Sequence, residues 1–182
     1  ISQMLEIARI LSSYRKKPEY SIVFIGWNGT HRKGAGIHHF LNSEAVDARR
    51  ITAGVHIWEP AGGQVSDTTS VYLETNQQST YPLLQELSSG ISNRHGLSNK
   101  QSRDFLNILG YRDLNDPALS IFYDHNFEQF LGLSGGYYTF RNRIQDSTDK
   151  LNFTQMYYST IYLLDLSWHL AHFESLENRK SN

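Results

Sequence analysis

The chain has 182 residues, 39 % hydrophobic and 19 % charged, an ordinary globular composition long enough to bury the core of one domain. With 17 Lys and Arg against 18 Asp and Glu the net charge is −1, which argues against a broad nucleic-acid surface, because displacing counterions from phosphates needs a basic excess. The lack of Cys excludes disulfides, thiolate metal sites and cysteine nucleophiles, and no apolar run approaches the roughly 20 residues that span a bilayer.

ISQMLEIARILSSYR (1–15) places Met4, Ile7, Ala8 and Leu11 on one face and predicts an amphipathic helix, ended at KKPE by Pro18. YSIVFIGW (20–27) is apolar on both faces and predicts a strand central to a mostly parallel sheet. After a glycine-punctuated loop, AGIHHFLN predicts a short helix. RRITAGVHIWE (49–59) predicts a second buried strand, PAGGQVSD a turn-rich loop, and TTSVYLET a third strand of alternating type.

TYPLLQELSSGISNRHG predicts a helix with Pro82 in its first turn, and NKQSRDFLNILG another closed by Gly110. ALSIFYD reads as a fourth strand, HNFEQFLG as a short helix capped by Asp124, and GGYYTF as a fifth strand. Beyond the loop RNRIQDSTDKLN comes a long helix, FTQMYYSTIYLLDLSWHLAHF, with Asn152 as N-cap and an apolar stripe at Met156, Ile161, Leu164 and Trp168. Strands alternating with helices predict a three-layer α/β/α sandwich with a mostly parallel central sheet, read as a single domain over 1–182.

Chemistry in such folds gathers at the carboxyl ends of strands. Three predicted strand ends carry suitable polar residues: Thr30 and His31, Asp124 and His125, and Asn142 to Asp146. His169 and His172, three apart, have a spacing that brings imidazoles to one helix face, but no His-Glu-x-x-His pattern accompanies them. They and the neighbouring pair His38 and His39 read as helix histidines. No Gly-x-Ser-x-Gly elbow and no phosphate-binding loop is present.

The order of these pieces resembles the two-zinc aminopeptidase family, whose relatives include glutaminyl cyclases and the protease-like domain of the transferrin receptor. ISQMLEIARILSSY resembles the helix after that family's Asp-Asn-Ala-Ser-Gly loop. YSIVFIGWNGTHRKGAGIHHFLN resembles its strand, Gly-Glu-Glu loop and Gly-Ser-x-x-Phe helix, in step through Gly29, Gly36 and Phe40. ITAGVHIWE, YDHNFEQFLGLSGGYYTF and RNRIQDSTDKLN resemble the strand before the Asn-Leu-Asp segment, the Ser-Asp-His-x-Pro-Phe segment and the closing His-Thr-x-x-Asp-Thr loop.

The departures fall on the chemistry. The resemblance implies a general-base Glu where Thr30 stands, a zinc-binding Glu at His31, an Asp ligand at Trp58 and a His ligand at Asn142, while the following Asp and Thr persist as Asp146 and Ser147. A hydrolytic zinc centre needs several N or O ligands, an open position for water, and a carboxylate to take that water's proton. Threonine is no such base near neutral pH, and indole does not ligate zinc.

The reading is therefore a non-catalytic aminopeptidase-like domain, part of a longer protein, that works by protein binding or assembly. No cofactor is expected. The resemblance implies an extracytoplasmic place, with membrane association through segments outside this chain. The former cleft would be lined by Trp27, Trp58, Asp124, His125 and Asp146, with Trp58 expected to fill the hole left by the metals. The alternative is an active zinc aminopeptidase in which Glu59 takes the role of Trp58, His31 acts as a ligand, upstream residues complete the site, and Glu44 or Asp124 supplies the base.

Overall fold

The computed structural model describes residues 1–27, 33–43, 47, 50–58, 60–61, 70–74, 90–91, 94–95, 98–101, 117–127, 130–135 and 147–172. Helix α1 (Ser2–Ser13) buries Gln3, Ile7 and Leu11, a four-residue spacing that puts them on one stripe. Helix α2 (Ala35–Leu41) buries Ile37 and starts from Gly34, whose φ of 67° is left-handed. That left-handed φ favours glycine, and a Cβ there would also displace the end of the Ile121 side chain.

Strands β1 (Gly54–Trp58), β2 (Ser70–Glu74), β3 (Ser98–Gln101) and β4 (Phe130–Ser134) form one sheet in the order β1-β4-β2-β3. β1 runs parallel to β4 and β2 parallel to β3, while β2 and β4 are antiparallel. The sheet is mixed but mostly parallel, as the sequence predicts. Helices α3 (Pro117–Asp124) and α4 (Phe153–Ala171) complete the described elements, with a short 3-10 turn at Thr148–Lys150 before α4.

Two cores lie on opposite faces of the sheet, which makes the three layers. Along β4, alternate side chains point to opposite sides. Leu131 and Leu133 join Ile7 and Leu11 of α1 and Tyr162, Leu163 and Leu166 of α4. Phe130 faces the other way, toward Ile37 of α2 and Ala118, Ile121 and Phe122 of α3. Each fully buried aliphatic or aromatic side chain contributes about 1.5–3 kcal/mol.

Several predicted elements change type. Residues 21–27 join no ladder: Val23 is 59 % exposed, and no backbone hydrogen bond ties the segment to β1. Its start is held instead by Glu19 N–H and Tyr20 N–H donating to the Ala171 carbonyl, at 2.9 and 3.0 Å. Strand preference reflects fit to a half-buried pleated surface, and this segment has no such neighbour among the described residues. The strand predicted over 49–59 shortens to Gly54–Trp58 and is half-buried, as suits a strand at the sheet's edge.

ALSIFYD is helix α3, not a strand. Its buried residues Ala118, Leu119, Ile121 and Phe122 follow helical spacing, and Pro117 occupies the first helical position. HNFEQFLG is accordingly not a helix: Asn126, with φ 64°, turns the chain, and Phe130 opens β4. Asp124 is the last residue of α3 rather than a cap. NKQSRDFLNILG begins as β3 through Gln101, and its remainder lies outside the described residues, as do nearly all of GGYYTF and most of TYPLLQELSSGISNRHG.

The last helix forms as predicted, with Asn152 Oδ1 accepting from Gln155 N–H at 3.0 Å. Its buried face is rotated from the predicted stripe: Gln155, Ser159, Tyr162, Leu163 and Leu166 point inward, while Met156, Ile161, Leu164 and Trp168 are only half-buried. Polar residues on the inner face conceal it from a hydrophobicity count.

Candidate functional site

Between residues 20–27 and β1 lies a groove of about 980 Å³. Its floor is apolar, from Ile7 of α1 and Leu163 and Leu170 of α4. Trp27 and Trp58 both line it. Trp27 is fixed in an aromatic cluster, edge-on to Phe40 with ring centres 5.2 Å apart and tilted against Phe122 at 5.9 Å. Trp58 ends β1 opposite Ser134, half-buried. It lines this groove, while the other positions of the former metal site, Thr30, His31 and Asn142, lie outside the described residues.

Polar groups on the groove wall include Asp47, Arg50 and His56, the carboxylate and the imidazole being single among the described lining residues. Aspartates 124 and 146 were both predicted near such a cleft. Asp124 and His125 sit exposed at the end of α3, away from this groove, and Asp146 is outside the described residues. Thr30, His31, Asn142, Glu44 and Glu59 also lie outside them.

Trp58, the described residue that ends β1, offers no metal ligand. The indole nitrogen of Trp58 keeps its lone pair in the ring π-system and its N–H is a donor only. Among the described residues no group of three or more His, Asp or Glu is disposed to hold a metal ion.

Among the described residues, the densest charge cluster lies elsewhere, on α4. Asp165 accepts from Arg94 Nη2 at 2.9 Å and pairs with His95 Nε2 at 3.2 Å and His169 Nδ1 at 3.2 Å. Burial pushes its carboxyl up, yet the hydrogen bonds from Arg94 and His95, with His169 nearby, outweigh that and hold it below the usual aspartate value. The cluster fastens Arg94 and His95 to α4. His169 Nδ1 bonds the Asp165 carbonyl at 2.8 Å, and His172 Nδ1 the Trp168 carbonyl at 2.8 Å. A carbonyl only accepts, so each Nδ1 is the donor. His95 and Asp165 are 70 residues apart, and nothing in the local pattern announces them as partners.

The closing loop keeps local order of its own. Ser147 Oγ donates to Asp149, which also pairs with Lys150; the Lys150 and Ser147 hydrogen bonds draw the exposed Asp149 carboxyl down to about 2.

A parallel-rich sheet sandwiched by helices, with a groove beside its edge strand, defines an aminopeptidase-like α/β fold. Two crystal structures of LapA from Legionella pneumophila, one described as that of an aminopeptidase, share it. They superpose with TM-scores of 0.76 and 0.74 at 14 % and 15 % identity, over 96 % and 94 % of this chain and 45 % and 46 % of theirs. The chain thus spans less than half the length of these structures. No family model and no curated protein sequence matches it.

Proposed function

We propose that this chain is a non-catalytic aminopeptidase-like domain that binds a protein partner, as the extracytoplasmic portion of a larger secreted or membrane protein. The observation that carries the reading is Trp58 at the carboxyl end of β1, where the family resemblance implies an acidic metal ligand. An indole there abolishes a ligand and adds apolar surface to an open groove. Trp27 across the same groove supports binding through aromatic contacts, which suit a partly wet protein interface. No described helix is long and apolar enough to cross a membrane, so membrane attachment in this reading belongs to segments outside the described residues.

The test is capture of a partner from extracytoplasmic extracts by the intact protein, compared with its Trp58→Ala and Trp27→Ala forms. Loss of the same partner from both variants supports the reading. Unchanged capture removes the groove from it.

The description of one LapA structure as an aminopeptidase favours a second reading, an active zinc aminopeptidase. It needs Glu59 in the place of Trp58 and a base to replace Thr30, and zinc-dependent hydrolysis of aminoacyl anilides distinguishes it.

A further inference from the structure

We propose that His38 and His125 together bind one divalent transition-metal ion of the class that prefers imidazole, such as zinc, nickel or copper. The two rings meet edge-on, His38 from α2 and His125 from just beyond α3, with centres 6.0 Å apart and planes at 65°. Both are exposed, and neither lines the groove, so the site is independent of the function proposed above.

The distance is within reach of coordination. Metal–nitrogen bonds of about 2.0–2.1 Å on a tetrahedral ion hold two ring centres roughly 5 Å apart. The pair therefore has to close by about 1 Å, an adjustment that exposed side chains make by small rotations about their χ angles. The backbones beneath do not have to move. Gly34 at the start of α2 lies directly on Ile121 of α3, and Ile37, Ala118 and Phe122 pack between the two helices with almost no exposure.

The electrostatic setting favours a cation. His38 sits in the last turn of α2, its carbonyl accepting from Asn42 N–H at 3.1 Å and Asn42 Nδ2 at 2.8 Å. His125 follows the last residue of α3, its N–H donating to the Ile121 and Phe122 carbonyls at 3.2 and 3.1 Å. Helix C-termini carry partial negative charge, and the exposed Asp124 adjoins His125 in the chain.

Among the other described histidines, His95 and His169 pair with Asp165 and His172 stacks on Trp168 with ring centres 3.8 Å apart, and the chain has no Cys. Two protein ligands leave the remaining positions to water, which makes the site an exchangeable one rather than a structural staple.

The experiment is a titration of the intact protein with copper, nickel and zinc chlorides, followed by calorimetry and by copper-induced broadening of the histidine ring signals. Saturation at one ion, copper binding more tightly than nickel or zinc, and broadening that strikes His38 and His125 first are the expected results. His38→Gln and His125→Gln each lower affinity by about tenfold or more, while the adjacent exposed His39→Gln leaves it unchanged. Wild-type affinity in both ligand variants, broadening centred on other histidines, or no saturable binding overturns the proposal. Broadening in the unmodified protein reads the site without relying on any variant.

Discussion

Gly54 and Phe130 stand opposite each other in the parallel register of β1 and β4, and the Phe130 ring occupies the space that a side chain on Gly54 would need. A Cβ there overlaps the ring's Cε1 and Cζ atoms. The ring cannot swing away freely, because it is stacked on Phe122 with centres 4.1 Å apart. Gly54→Ala is expected to lose about 1–3 kcal/mol of stability through overpacking, read as a lower urea midpoint. Gly54→Ala combined with Phe130→Leu should recover part of that loss, since the smaller side chain frees the space.

Gln3 is a buried amide on the inner face of α1, 5 % exposed, and its Nε2 reaches the Met156 carbonyl, Ser159 Oγ and Thr160 Oγ1 at 2.8–2.9 Å. It joins α1 to α4 across some 150 residues of sequence. Gln3→Leu keeps approximate volume and takes a buried donor away from the Ser159 and Thr160 hydroxyls, so a loss of about 1–3 kcal/mol is expected in denaturant unfolding. Exposed Ser2→Ala on the same turn serves as the control and should change stability by less than about 0.5 kcal/mol.

Asn152 caps α4 through its side chain while its own N–H donates to the Ala61 carbonyl at 3.0 Å. Asn152→Ala should cost about 1 kcal/mol, and Asn152→Asp should retain most of the capping. The residue is 8 % exposed, so in the Asn-Phe-Thr sequon it opens the acceptor amide is packed into the folded protein, while Phe153 and Thr154 are exposed. Mass spectrometry of the protein secreted from a eukaryotic host is expected to show no glycan at Asn152.

Asp165 has a lowered carboxyl pKa, so its cluster stabilises the fold above the ordinary unfolded aspartate value near 3.9, and that contribution is lost as pH falls through the lower folded value. Arg94→Ala removes the shortest of its side-chain partners, which raises the folded pKa and moves acid unfolding to higher pH. Carboxyl NMR of Asp165 reads the first effect and a pH series of denaturant midpoints the second. At pH 7 the change in stability should stay below about 1 kcal/mol, because Arg94 is half-exposed and solvent screens the pair.

What the sequence disclosed follows from how far each signal reaches along the chain. Helix α1 was legible because Ile7 and Leu11 repeat at helical spacing, and α4 because it is long and begins at a capping Asn. The run Ala118 to Asp124 misled because seven apolar-rich residues satisfy a strand and a helix alike, and only packing of Phe122 against α2 and β4 decides between them. The strand reading of 20–25 came from β-branched and aromatic residues, but a strand needs a paired neighbour, which local composition does not report. At the groove, Trp27 and Trp58 were named from sequence. Asp165 with His95 was not, since a contact between segments 70 residues apart leaves no local period.

The central claim is that an aminopeptidase-like architecture here has no zinc hydrolysis to perform. Turnover of a panel of aminoacyl anilides by the intact protein, measured with added zinc and alongside metal analysis, tests it most directly. The account predicts no hydrolysis above the protein-free blank at any zinc concentration. Stoichiometric zinc with turnover that chelators abolish would contradict it.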